Sequence, residues 1–166
     1  MSRGFVKESD QEELPPIPPR AALPPGVTNY VTPTGLAALK HERSELQAEL
    51  DALPTDNEDE HRRSATVLRG KLALLDERLA SARVLDPAEQ PQEEVRFGAH
   101  VELRMGSAPK TQVFQLVGVD EANVKARKIA FTAPIARAIT GLWAGEDTVL
   151  DLGSERRKVR VLRIWY

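Results

Sequence analysis

Asp56-Asn57-Glu58-Asp59-Glu60 places four carboxylates within five consecutive positions. Hard oxygen donors at that density can present charge or a metal ion. A plainer account competes with this. Thr55 and Glu58 have the spacing of a capping box, and acids in a first helical turn complement the helix dipole by ~0.3–1 kcal/mol each. Capping accounts for one or two acids, not for four that repel one another. Arg62 and Arg63 follow within two turns and bring the opposite charge.

The acids lie where two amphipathic segments must reverse direction. Leu36, Leu39, Leu46, Leu50 and Leu53 fit the a and d positions of a heptad, with Arg43 as the polar interruption. Beyond the break, Ala65, Leu68, Leu72, Leu75, Leu79 and Ala82 repeat the pattern. Thr32 caps and Pro33 opens the first predicted helix, Pro33 to Leu53, roughly 30 Å long at about 1.5 Å per residue. Pro54 breaks it, and the second helix is predicted from about Asn57 to Val84. Together they predict an antiparallel coiled-coil hairpin with clustered negative charge at its tip.

Residues 1–28 differ from the rest. The first thirteen are mostly charged or polar, and six of the twelve residues from Leu14 to Pro25 are proline. So few apolar side chains predict a disordered tail, the alternative being an arm that docks on a partner. The hairpin then occupies 29–86 and a polar linker 87–95. From 96 to 166 the period shortens to two, predicting strands at His100–Leu103, Gln112–Val119, Lys128–Thr132, Thr148–Leu152 and Lys158–Trp165. One short helix interrupts them at about Pro134 to Thr140. The fold class expected is α+β in two domains.

Several classes of function are disfavoured. The formal net charge of -2 gives no global field for nucleic acid, and with no cysteine there are no disulfides or thiolate metal sites. The opening MSRGFVKESDQEE has no apolar core of a leader, and no stretch approaches the ~20 apolar residues of a membrane span, so a cytoplasmic setting is expected. His41, His61 and His100 show no ligand spacing and read as surface residues. Trp143 and Trp165-Tyr166 read as packing for the small domain, and Arg156-Arg157-Lys158 as a solvated run. No Ser-His-Asp, Walker or dinucleotide signature occurs, which points to an accessory factor rather than a self-contained enzyme.

Four segments resemble bacterial transcript cleavage factors of the GreA/GreB family. They are Val31-Thr32-Pro33-Thr34-Gly35-Leu36, Arg96-Phe97-Gly98-Ala99-His100-Val101, Phe114 to Glu121, and Ala133-Pro134-Ile135-Ala136-Arg137-Ala138-Ile139, the last nearer GreB. The resemblance covers about residues 30 to 166. It implies an FKBP-like C-terminal domain, a small β-sheet with one helix, that grips the rim of RNA polymerase's secondary channel. The hairpin would enter that channel toward the nascent RNA 3′ end. It further implies that Asp56 and Asp59, with Glu58 and Glu60 as alternates, complete the coordination of a second catalytic Mg²⁺ shared with the polymerase. No cofactor is expected on the factor alone, and a monomer is expected. Arg62 and Arg63 would hold RNA phosphates, and Thr132-Ala133-Pro134 would lie at the rim. Two departures stand out. The tip has no aromatic and carries Asp where the family has Glu. The first arm is also about ten residues short, on the order of 15 Å of reach at the helical rise. A channel-binding regulator or inhibitor without cleavage activity, similar to Rnk or anti-Gre proteins, is the second reading. A peptidyl-prolyl isomerase-like module is the third.

Overall fold

The computed structural model describes residue 13 and residues 15–166. Two helices, α1 (Pro33–Asp51) and α2 (Glu58–Ser81), pack side by side. They run antiparallel: Leu39 and Leu75 bury together, Arg43 pairs with Asp76 at 2.6 Å, and Leu53 shares a cleft with Ser64 near the reversal. The heptad residues fall on the shared face, with Leu39, Ala65, Leu68, Leu72 and Leu75 buried. Thr32 caps α1 by accepting a hydrogen bond from the Gly35 amide at 2.9 Å, as its position before proline predicts.

The hairpin base differs from expectation. The second helix stops at Ser81 rather than Val84, because Arg83–Val84 (β2) pairs in parallel with Tyr30–Val31 (β1). The Arg83 amide donates to the Asn29 carbonyl at 2.9 Å and the Leu85 amide to that of Val31 at 3.0 Å. These bonds satisfy backbone groups that a frayed helix end would leave open.

After a 3-10 turn at Pro87–Glu89, β3 (His100–Met105), β4 (Thr111–Val117), β5 (Lys128–Ala130), β6 (Asp147–Asp151) and β7 (Arg156–Trp165) form one sheet in the order β5-β4-β3-β7-β6. Within this sheet β4 and β5 pair in parallel and the other neighbours antiparallel. The short helix α3 (Pro134–Ile139) covers one face, burying Ala136 and Ile139 against Val101, Leu103, Val159 and Val161. Alternation along β3 explains the one-sided core: Val101 and Leu103 point in, His100 and Glu102 out. The architecture is α+β, and no helix among the described residues is long and apolar enough to cross a membrane.

Three expectations need correction. Residues 15–21 of the predicted tail are laid along the chain's own hairpin: Arg20 bonds to Glu42 on α1, and the Arg78 guanidinium donates to the Ala21 carbonyl. An extended proline-rich segment loses little backbone freedom on docking, so a few anchors suffice to order it. Residues 1–12 and 14 fall outside the described chain. His100 is half-buried rather than exposed, its ring stacked on Trp165 at 5.5 Å with 12° between planes. Trp143 is 54% exposed and does not serve the core. Arg156, Arg157 and Lys158 are exposed, and each is paired with an acid: Asp151, Glu155 and Asp147 respectively. The Arg160 and Lys158 donors hold the Asp147 carboxyl well below the usual range.

Burial, with Lys128 as a second cause, pushes the His100 imidazole below its ordinary pKa, and its Nδ1 is buried without a hydrogen-bond partner. The folded state therefore resists protonation that the unfolded chain accepts near pH ~6.5. Stability is expected to fall as pH drops below that value, and His100→Gln is expected to flatten the slope in urea titrations at each pH. Leu75→Ala, fully buried toward the base of the hairpin beside Val31 and Leu39, is expected to cost about 2–5 kcal/mol in the same titrations.

Candidate functional site

The tip is built from the break between the helices. Asn57 is the N-cap of α2; its side-chain oxygen accepts from the Glu60 amide at 3.2 Å. Thr55 therefore does not cap the helix, although Asn57-x-x-Glu60 offers the same spacing two residues later. His61 Nδ1 lies 2.9 Å from the Pro54 carbonyl, which can only accept, so that nitrogen carries the proton. This bond closes the turn over seven residues and fixes the direction in which α2 leaves it.

Glu58, Asp59 and Glu60 project from the first turn of α2, with Asp56 in the preceding bend, and all four are exposed. Asp56, Glu60 and His61 line one shallow cleft with Pro54 and Ser64. Asp59 turns to the other side, where its carboxylate accepts from Arg62 Nη2 at 3.0 Å. Among the described residues no three ligating side chains converge as a metal cage. Exposed monodentate carboxylates of this kind can add oxygens to an ion held mainly by other groups. Arg63 is exposed on α2 and shares a second cleft with Glu49, Lys71 and Pro15.

Thr132, Ala133 and Pro134 belong to the sheet domain. Thr132 and Ala133 are half-buried in the turn after β5; the Ala133 amide donates to the Ala130 carbonyl at 2.9 Å, and exposed Pro134 opens α3. The tip acids and this segment are thus carried by different parts of the fold.

The joint between those parts carries charged residues that sequence reasoning did not single out. Thr32 Oγ1, which accepts from Gly35, donates its own proton to Glu121 Oε2 at 2.6 Å. Glu121 also pairs with Lys128 at 3.1 Å. Its neighbour Asp120 accepts from Arg20 Nε at 2.9 Å. Gly118, just after β4, admits the Tyr30 carbonyl so closely that a Cβ there would sit 2.6 Å from that oxygen. On the far side, Tyr30, Phe97 and Phe131 pack with centroids 5.5–5.9 Å apart and line a cleft of about 430 Å³ with Arg96 and Arg137. The fold thus gathers three rings that lie far apart in the sequence.

Residues 90–166 match the family model described as transcription elongation factor, GreA/GreB, C-term. GreA of Ralstonia nicotianae is 32% identical over 123 residues, covering 72% of this chain and 78% of that protein. GreA of Acidiphilium cryptum is 32% identical over 112 residues, covering 66% and 71%. The chain belongs to the GreA/GreB family of transcription elongation factors. Among solved structures, the GreA factor homolog 1 protein of Thermus thermophilus is similar at 21% identity, covering 84% of this chain and all of that one with a TM-score of 0.39.

Within this GreA/GreB-family chain, the cap at Asn57 was readable from the spacing to Glu60. The roles of Arg20, Asp120 and Glu121 were not, because their contacts across the joint join residues 22 to 100 positions apart. Asn57→Ala is expected to cost about 1 kcal/mol by loss of the cap and to fray the first turn of α2, raising amide exchange at 58–61 while leaving the sheet domain protected.

Proposed function

We propose that this family member binds bacterial RNA polymerase at its secondary channel and stimulates the polymerase's own cleavage of backtracked RNA. The helical pair is the coiled-coil probe, and the five-stranded module with α3 is its FKBP-like anchor. The observation that supports this most is the exposed acidic tip on the antiparallel pair, carried at the end opposite the joint with the sheet. Asp56 and Asp59, with Glu58 and Glu60 as alternates, would supply carboxylate oxygens to the second catalytic Mg²⁺ held by the polymerase. Their exposure fits a role completed only in a complex. When bound, such an ion activates water and stabilises charge on the phosphodiester. Arg62, which now neutralises Asp59, would turn with Arg63 toward RNA phosphates and release that carboxylate. Thr132, Ala133 and Pro134 would rest on the channel rim.

A second reading is a non-cleaving channel regulator or inhibitor, Rnk- or anti-Gre-like. The Asp59–Arg62 pair favours it, and so does an α1 of only 19 residues, roughly 28 Å at the helical rise. The three-ring cleft keeps a peptidyl-prolyl isomerase-like binding module as the third.

The deciding measurement incubates the protein with stalled, backtracked complexes and Mg²⁺ and follows short 3′-terminal RNA. Release is expected, and the Asp56→Ala/Asp59→Ala double variant is expected to lose it about tenfold or more, ~1.4 kcal/mol of barrier, while polymerase binding persists. Binding without fragments at any Mg²⁺ concentration would establish the regulator instead, and proline isomerisation without binding the third reading. Substituting Thr132 and Pro134 is expected to weaken binding with no change in fragment length.

A further inference from the structure

Gly70 sits in the middle of α2, where glycine costs about 1 kcal/mol relative to alanine. The structure supplies the reason. A Cβ at Gly70 would collide with Ile17 Cδ1 and lie 2.7 Å from its Cγ1, so the helix is notched to receive the isoleucine of the proline-rich segment. Three residues on, Arg20 places one side chain against two separate parts of the molecule. It donates to both Glu42 oxygens on α1, at 2.8 and 3.0 Å, and to Asp120 after β4 at 2.9 Å. Next to it, Arg78 of α2 donates to the Ala21 carbonyl. Clefts lined by residues of 15–21 follow the hairpin from Leu53 and Ser64 near the tip to Arg78 and Asp120 at the base.

Asp120 makes this arrangement more than decoration. Its side chain is only 6% exposed, Oδ1 accepts from Arg20, and buried Oδ2 has no hydrogen bond among the described residues, Arg78 Nε standing 3.7 Å away. A desolvated carboxylate that loses its hydrogen-bonding cation is destabilised until water reaches it. Asp120 lines the cleft that Arg20 occupies, so departure of Arg20 takes away its hydrogen-bonding cation together with a side chain that bridges α1 and the exit of β4.

We propose that residues 15–21 are a detachable strap, seated in the Gly70 notch and pinned by Arg20, that sets the angle of the helical hairpin on the sheet domain. In place, the strap holds the joint closed and Pro15 stands over the cleft containing Arg63 and Lys71. Its departure frees the angle and uncovers that basic side of α2 in one event. This device depends on the strap contacts alone and stands whichever function the acidic tip serves.

The chain has no cysteine, so paired labels can be introduced cleanly. Spin labels on the full chain at Pro16→Cys with Ser44→Cys report strap to hairpin; Ser44→Cys with Ser154→Cys report hairpin to sheet. All three sites are exposed. Both distance distributions are expected to be narrow in the parent. Arg20→Ala removes the pin, and Gly70→Leu fills the notch while improving helix propensity, so a folding defect in one variant does not spoil the other. Each is expected to lengthen the first distance and broaden the second, with helix content by circular dichroism unchanged. A strap distance unchanged in both variants overturns the pin and the notch. A strap that leaves while the hairpin-to-sheet distribution stays narrow overturns its role as a brace. A strap distance that varies with protein concentration marks exchange with a second copy and overturns it as an intramolecular device.

Discussion

Two adjacent carboxylates at the exit of β4 tie the helical pair to the sheet, and the rest of the molecule is organised around that tie. Glu121 takes the proton of Thr32, the residue that also caps α1, so the start of the helix and its attachment share one hydroxyl. Asp120 takes Arg20. Both bonds are charge-assisted and shielded from solvent, which makes them roughly twice as strong as neutral ones and costly to leave unmade. A rod pivoting on apolar contacts alone would have no preferred direction. Paired charges with fixed geometry give it one.

Beside this tie, shape completes the joint. Gly118 lets the β1 backbone approach, the parallel β1–β2 pair closes the open ends of the two helices, and the Tyr30–Phe97–Phe131 cluster fills the opposite side. The tip, by contrast, is kept in shape by contacts within residues 54–62, namely the Pro54–His61, Asn57–Glu60 and Asp59–Arg62 bonds. Its acids can therefore present charge without drawing on the sheet domain for order. Geometry is set locally at the working end and globally at the anchored end.

Periodicity made most of this architecture legible. Leucines at 3-4 spacing located both helices to within a few residues, and Thr32-Pro33 fixed the start of α1 because capping is a local event. The five strands of the sheet domain followed from alternation, and the order of motifs identified the family. The failures share a cause. The strap looked like a free tail because its few apolar side chains cannot form a core of their own; they need a groove made by residues about 50 positions later. The early end of α2, the half-buried stack of His100 and the aromatic cleft all depend on partners distant in sequence. Local pattern carries no record of them. Exposed Trp143 had no such partner to find, and nothing in its neighbourhood of sequence distinguished it from Trp165.

The strand order carries a consequence for how the chain is made. β7 lies between β3 and β6, so the sheet cannot close until that last strand has been synthesised and has left the ribosome. The helical pair, built from contacts between neighbours in sequence, can form well before then. Asp120 emerges long after Arg20 and Glu42 have met. During translation the hairpin is therefore a finished piece waiting for its mount, and the proline-rich segment has time to settle along it before the second half of its binding site exists.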